Sequence, residues 1–231
     1  MAERMKGLLP LAASVAILSI VWTWVALNFT FHWVSSGDLG NGLDLPASFH
    51  LIVPAAFVSW AMFFAAGGDN TAARKVAIAN VFGASGALVV MFGAGELADL
   101  PDFWAIALLV GVLAGLLVVL AALGDWYFIP ATFGAFASVF FWWTATGLDK
   151  WAPGGGGAEN TVQALGDPAT AGAGAFGGVI STPFGWVYVS ILATLTIGVV
   201  LGMLSTRLAA LLTPKPRAVA PEAPPQGSAV A

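Results

Sequence analysis

Six long apolar stretches constrain this chain more than any other feature of its sequence. A helix of about 20 residues crosses the hydrocarbon core of a bilayer, and no stretch carries Asp, Glu, Lys or Arg near its middle. Hydrocarbon offers no partner for backbone N–H and C=O groups, so lipid-exposed spans of this kind fold as helices. We therefore predict an all-α, polytopic membrane protein with one transmembrane domain, residues 1–213, whose six transmembrane helices lie roughly at 8–31, 49–66, 76–95, 103–123, 128–148 and 183–212.

Composition excludes several classes of protein. Only 9% of the residues are charged, against about 25% in a soluble domain, so a water-soluble enzyme is excluded. A net charge of −4 argues against binding to nucleic acid, which requires a basic face. The chain has no cysteine, and it lacks nucleotide-binding, metalloprotease and serine-hydrolase motifs. We predict that it is not an enzyme and has no cofactor, no metal ion and no catalytic residue.

The basic residues predict the orientation. With the N-terminus in the cytoplasm, six helices leave only Lys150 of the eight basic residues on the outer side. This agrees with the positive-inside rule, and an odd number of helices would lose the agreement. Both termini are therefore expected in the cytoplasm, together with the other basic residues: Arg4, Lys6, Arg74, Lys75, Arg207, Lys215 and Arg217.

Two segments differ from the apolar spans. Residues 149–182 are rich in glycine and have too few large apolar side chains for a core, so we expect a flexible outer loop. Residues 214–231 are rich in proline and alanine, and we expect a disordered cytoplasmic tail.

A short match indicates an internal repeat. LIVPAAF opens the second span and FIPATFG opens the fifth, and aligning Pro54 with Pro130 also pairs Phe57 with Phe133. Since the second and fifth spans enter from opposite sides, a true repeat would be a 3+3 inverted repeat of the kind found in transporters. Chance similarity is the alternative, because proline in the first turn of a helix costs no hydrogen bond.

Glycine pairs predict close helix packing. Small residues let helix backbones approach each other in lipid, within a chain or between copies in a homo-oligomer. A role in lining a pore is the alternative. The candidate helix-packing residues are Gly83, Gly86, Gly111, Gly115, Gly198 and Gly202.

Uncharged polar and aromatic residues inside the spans are candidates for lining a pathway. A buried asparagine amide requires hydrogen-bond partners, which it finds either on another helix or along a polar pathway. Tryptophan within a span either packs between helices or narrows a pathway. The candidate pathway-lining residues are Asn28, Asn80, Thr132, Trp22 and Trp24.

Three titratable residues near the span ends leave alternatives open. His32 and His50 bracket the first outer loop, where they either anchor helix ends or form a pH-sensing pair. Asp125 lies in the short turn between the fourth and fifth spans, where it either caps the fifth helix or gates an inner vestibule.

Several strings together resemble a bacterial membrane family, domain of unknown function 1097. They are ILSIVWTWVA in the first span, FFAAGG at the end of the second, the small-residue face of the third, and FIPATFGAFAS in the fifth. The resemblance implies a small multi-span protein of the bacterial inner (plasma) membrane. The resemblance implies no particular reaction and no catalytic residue.

These observations favour two functions. The first is a passive channel or facilitator for a small uncharged solute, since uncharged polar groups can replace the hydration of such a solute. The second is a non-catalytic structural or accessory subunit of a membrane complex. The expected partners are the lipid bilayer and further copies of the chain.

Overall fold

The computed structural model describes residues 2–30, 49–97, 99–101, 104–146 and 184–213, and within them all regular structure is helical. The glycine-rich loop 149–182, the tail 214–231 and His32 lie outside the described residues. The described residues form six α-helices, α1 Ala2–Asn28, α2 Val53–Ala65, α3 Asn70–Glu96, α4 Trp104–Val119, α5 Ile129–Ala145 and α6 Phe184–Leu212.

Four of the helices, α1, α3, α4 and α6, are long and apolar enough to cross a membrane, α4 with its 3₁₀ extension Leu120–Leu123. The apolar helices α2 and α5 are shorter, with 13 and 17 residues. The chain is therefore a multi-pass membrane protein by the length and composition of its helices.

The second predicted span differs from the helix that forms there. The span was expected from Phe49, but α2 begins at Val53 and residues 49–52 are not helical. Pro54 lies in the first turn of α2 and Pro130 in the first turn of α5. Proline has no N–H and favours the first turn of a helix, so each helix begins within one turn of its proline.

A tight turn joins α2 to α3. Gly67 and Gly68 both adopt positive φ, which glycine alone adopts at no steric cost. Asp69 then caps α3, because its side-chain oxygen accepts a hydrogen bond from the N–H of Ala72 at 2.7 Å. This turn reverses the chain within four residues, so α2 and α3 run in opposite directions.

The helices form an inner and an outer group. In the most apolar stretch of α3 and of α6, 50% of the residues are buried, but only 11% in α1 and in α4. The outer helices α1 and α4 instead expose large apolar side chains such as Ile20 and Val119. Because exposed apolar side chains face lipid in a membrane protein, α1 and α4 form the bilayer-facing sides of the bundle.

Close contacts fix the directions of the inner helices. Gly198 and Gly202 of α6 lie against Ala56 and Phe63 of α2, so these two helices run parallel. Gly83 and Gly86 of α3 lie against Thr132 and Phe136 of α5, so these two also run parallel. The α3 and α6 helices are antiparallel, since Ser85 meets Tyr188 and Phe92 meets Phe184.

Candidate functional site

A buried polar pair joins α2 to α3. The Asn80 side-chain amide donates a hydrogen bond to Ser59 Oγ at 2.9 Å, and both residues are buried, at 2% and 0% exposure. An amide in an apolar interior is stable only when it is hydrogen-bonded. Asn80 is thus a candidate pathway residue that lies inside the bundle and also holds two helices together.

Hydroxyl groups support the extended segment before α2. The N–H of His50 donates to Ser190 Oγ at 3.1 Å, and the N–H of Ile52 donates to Thr194 Oγ1 at 3.3 Å. Thr30 Oγ1 accepts from the N–H of Leu51 at 3.0 Å. Non-helical backbone at membrane depth is tolerated where protein groups satisfy it, so these side chains make the late start of α2 stable.

Most of this support was not predicted from the sequence. Neither Ser190 nor Thr194 was predicted to have a role. The available signal was their spacing of one helical turn on α6, which places both hydroxyls on one face. A hydroxyl usually bonds to its own helix, so the spacing did not identify the segment that they hold.

A pocket of about 260 Å³ lies between α2 and α5. Its lining is apolar except for the hydroxyl of Ser138, which donates to the carbonyl of Gly134 at 2.7 Å. The two helices approach closely beside the pocket, because a Cβ added at Gly134 would lie 2.9 Å from Val58 Cγ1. Such a lining has no charge to offer and suits a small uncharged molecule.

The predicted packing glycines divide into two groups. A Cβ added to Gly83 or Gly198 would overlap a backbone carbonyl oxygen, of Thr132 and Ala56 respectively. A Cβ at Gly202 would lie 2.5 Å from Phe63 Cδ1, and one at Gly86 would lie 3.2 Å from Leu117. Four of the six thus lie where helices meet, whereas a Cβ at Gly111 or Gly115 of α4 would have no neighbour within 4 Å among the described residues.

The other candidate pathway residues lie apart from one another. Thr132 is fully buried and bonds to the carbonyl of Phe128. Trp22 is buried and its indole N–H donates to the carbonyl of Val53 at 3.3 Å. Trp24 is 60% exposed on α1, and the Asn28 amide bonds to the carbonyl of Trp24 at 2.8 Å. Trp24 and Asn28 therefore do not join Asn80 in the interior.

His50 is enclosed at the start of the α2 segment. It is 4% exposed, its ring lies 5.9 Å from that of Trp142, and its Nδ1 has no hydrogen-bond partner among the described residues. No group of three or more potential metal-ligating side chains occurs in the part of the chain that the structure describes. His50 therefore packs between helices rather than standing at the surface.

Asp125 does not cap α5. The N-cap residue of α5 is Phe128, which makes no side-chain capping bond. Asp125 is exposed in the turn before that helix, in a cavity with Arg74 and Lys75. The capping interpretation was wrong because α5 begins three residues later than a cap at Asp125 would need.

The family comparison covers most of the helical part of the chain. The family model described as protein of unknown function (DUF1097) matches residues 12–210, from within α1 to near the end of α6. The chain belongs to the DUF1097 family. This confirms the resemblance carried by the short apolar strings of the first, second, third and fifth spans.

Membership in the DUF1097 family covers the helical part of the chain and not the proline-rich tail. No curated protein and no solved structure matches the chain. The description of the DUF1097 family names no activity, so the function must be argued from the side chains and their geometry.

Proposed function

We propose that this DUF1097 protein is a passive channel or facilitator for a small uncharged solute, built from two inverted halves of three helices. The observation that carries the proposal is a repeated pattern of contacts in α1–α3 and α4–α6. Inverted repeats are typical of transport proteins, whose solute sites lie where the two halves meet.

Glycine contacts support the repeat. The alignment that pairs Pro54 with Pro130 also pairs Ala56 with Thr132 and Ser59 with Ala135. Gly198 lies against Ala56 and Ser59, and Gly83 lies against Thr132 and Ala135. The third helix of each half therefore makes the same contact with the second helix of the other half.

The burial of side chains supports the repeat independently of the glycine contacts. Along the same alignment, residues 53–65 and 129–141 fall in the same burial class at every position except the Met62–Ser138 pair. The exposed positions correspond, as in Pro54 with Pro130 and Phe57 with Phe133. Chance similarity of Phe and Ala strings would not reproduce which side chains face outward.

The halves are related by inversion. Val58 pairs with Gly134 in the alignment, and these two residues contact each other where α2 and α5 cross. Two equivalent positions touch where a two-fold axis passes between them. Because α3 and α6 are equivalent and antiparallel, the axis lies in the membrane plane. This arrangement favours six passages, with the shorter α2 and α5 completed by non-helical segments such as 49–52.

The chemistry near this axis favours an uncharged solute. The pocket between α2 and α5 contributes one hydroxyl and no charge, and the buried polar pair nearby is also uncharged. Uncharged polar groups can replace part of the hydration of a neutral solute without attracting an ion. The proposal requires no cofactor, metal ion or catalytic residue.

The orientation follows from charge. Arg4, Lys6 and Arg74 lie at the end of the bundle where α1 and α3 begin, and Arg207 lies near the end of α6. We propose that this end faces the cytoplasm of a bacterial cell, with both chain termini there.

A flux assay on purified protein in liposomes tests the channel. Urea and glycerol serve as probes, and vesicle swelling measures their entry. The test variant is S59A/N80L, because the equivalent positions in the other half are Ala135 and Leu195, both of which are buried. The variant should therefore keep its melting temperature within a few degrees and lose solute flux, since the polar pair is gone.

One outcome would contradict the role of the polar pair, and another would contradict the channel. Flux at the wild-type rate in a folded S59A/N80L variant would remove this polar pair from the pathway. No flux of either probe above protein-free liposomes, with the wild-type protein folded, would overturn the channel itself.

The second candidate is a non-catalytic accessory subunit. The observation that favours it is α4, because its Gly111 and Gly115 meet no side chain of the described residues within 4 Å. Extraction in a mild detergent followed by native mass measurement separates the two functions. A stable complex with other chains favours the accessory subunit, and copies of this chain that conduct solute favour the channel.

A further inference from the structure

A second cavity, of about 240 Å³, lies at the end of the bundle where α3 begins. Three lining residues, Thr71, Arg74 and Lys75, come from the first two turns of α3. The other two, Asp125 and Trp126, come from the turn between α4 and α5. This cavity is separate from the α2–α5 pocket and shares no residue with it.

We propose that this cavity binds the headgroup of a phospholipid, a phosphodiester with an ethanolamine ammonium group. Arg74 and Lys75 bind the phosphate oxygens, for which a guanidinium fork and an ammonium are suited. Asp125 binds the ammonium of the headgroup. The face of the Trp126 ring also attracts this ammonium group.

The three charged side chains are available for a ligand. Arg74 and Asp125 are exposed and Lys75 is half-buried. No ion pair of these three side chains is found within the described part of the chain. A purely anionic ligand would place its charge beside the Asp125 carboxylate, which is repulsive. A zwitterionic headgroup instead provides a partner of opposite charge for each of the three.

Trp126 is held in place by its neighbours. Its indole N–H donates to the carbonyl of Leu123 at 3.1 Å, and its ring lies 5.9 Å from that of Phe82. Tryptophan is enriched where hydrocarbon meets the headgroups, and long basic side chains at helix ends extend toward the same layer. The cavity is therefore at the depth where phosphates of the bilayer lie.

The opposite end of the bundle shows that the fold does not require these charges. The repeat proposed above pairs Arg74 with Val189, Lys75 with Ser190 and Trp126 with His50. There the N–H of His50 donates to Ser190 Oγ at 3.1 Å. Its neighbour Phe49 packs its ring against Trp186 at 6.4 Å. The equivalent position at the opposite end of the bundle is thus closed by packed side chains. The basic pair Arg74 and Lys75 is confined to the end where α3 begins.

Native mass spectrometry of the full chain in detergent tests the proposal. The probes are dioleoyl-phosphatidylethanolamine, dioleoyl-phosphatidylglycerol and inorganic phosphate, each added separately at equal concentration. We expect one ethanolamine lipid to be retained in preference to the other two. Arg74→Gln and Lys75→Gln should each weaken its retention about tenfold, the typical effect of losing a charge-assisted hydrogen bond.

The control is Arg207→Gln, which removes the same charge from an exposed residue near the end of α6, outside the cavity. It should leave retention unchanged. Asp125→Asn should remove the preference for ethanolamine over glycerol headgroups. Melting temperatures of all variants should stay near that of the wild type, because every substituted side chain is at the surface or half-buried.

Three results would overturn the headgroup site. Equal loss of retention in Arg207→Gln and Arg74→Gln would mean that diffuse charge attracts lipid. Tighter retention of phosphatidylglycerol in Asp125→Asn, with no loss of the ethanolamine lipid, would mean a plain anion site. Displacement of the lipid by inorganic phosphate at equal concentration would make free phosphate the ligand.

Discussion

At the scale of single residues, the effect of a small side chain depends on what lies opposite it. Gly83 and Gly198 lie against backbone carbonyl groups of neighbouring helices, whereas Gly115 lies in open space on α4. All three look alike in the sequence, since each belongs to a pair of glycines spaced three or four residues apart in an apolar helix. Only the contacts separate the residues that hold helices together from those that do not.

The first prediction follows from this difference. Gly83→Ala and Gly198→Ala should each destabilise the protein by about 1–3 kcal/mol, the usual cost of overpacking, because backbone on both sides must move apart. Gly115→Ala is the matched control. It should be neutral or stabilising by up to about 1 kcal/mol, because alanine favours a helix more than glycine does.

Thermal unfolding of the purified variants in detergent measures these effects. Equal melting temperatures for Gly83→Ala and Gly115→Ala would contradict the close approach of α3 to α5. A lower melting temperature for Gly83→Ala but not for Gly198→Ala would count against the equivalence of the two contacts.

At the scale of elements, the segment before α2 is held by side chains from other helices rather than by its own hydrogen bonds. Ser190 and Thr194 of α6 accept from the N–H groups of His50 and Ile52. The four donors at a helix N-terminus have no partner within the helix, and the extended residues before it add more. In hydrocarbon, each unpaired N–H costs several kcal/mol, so these hydroxyls stabilise the non-helical segment that precedes α2.

The second prediction tests that support with two threonines of α6. Both bond to the carbonyl one turn earlier, at 2.7 Å for Thr194 and 2.8 Å for Thr196, but only Thr194 also accepts from Ile52. Thr194→Val should cost about 1–3 kcal/mol because it leaves a buried N–H without a partner. Thr196→Val should change stability little, since this residue is exposed.

Amide hydrogen exchange locates the effect. In Thr194→Val, exchange should rise at residues 50–52 and not along the rest of α6. Faster exchange throughout α6, or equal destabilisation by Thr196→Val, would mean that the substitution disturbs the helix and not the segment that it supports.

At the scale of the whole molecule, the proposed repeat pairs the six described helices as two halves, α1–α3 and α4–α6. The outer helices α1 and α4 face lipid, and the inner helices α3 and α6 pack against α5 and α2. In the proposed six-passage arrangement, the turn before α3 and the turn before α5 are on the same side of the membrane. The turn between α3 and α4 is on the opposite side.

The third prediction uses the absence of cysteine from the chain, which makes single-cysteine variants unambiguous. Asn70→Cys and Leu123→Cys, both exposed, should react with a membrane-impermeant maleimide from one side. Asp99→Cys, in the turn after α3, should react only from the other side. Labelling of intact and of inverted membrane vesicles shows on which side each cysteine lies. Thr213→Cys should label from the same side as Asn70→Cys.

For each of the short helices α2 and α5, one labelling result would contradict a membrane crossing. If α2 does not cross, Asn70→Cys will label from the side opposite to Gly7→Cys at the exposed start of α1, because only one passage then lies between them. If α5 alone does not cross, Leu123→Cys will label with Asn70→Cys but Thr213→Cys will not.

The sequence by itself determined the solvent, the helical class and the family of this protein. Apolar stretches without charge can be stable only in lipid, and backbone in lipid must form helices. Pro54 and Pro130 place a helix start close to each of them, because proline favours the first turn, but the predicted second span began at Phe49, four residues before α2. The Pro54–Pro130 match predicted a repeat from these local features.

The tertiary structure decided which residues meet. It placed Gly83 against a neighbouring helix but left Gly115 without such a contact among the described residues. It also formed the hydrogen bonds of Asn80 with Ser59 and of Ser190 with His50, which is 140 positions away in the chain. It also gathered Arg74, Lys75 and Asp125 around one cavity. Periodicity and composition describe a helix by itself, but hydrogen bonds, close packing and charge pairing act between helices. Their partners exist only once the bundle has formed.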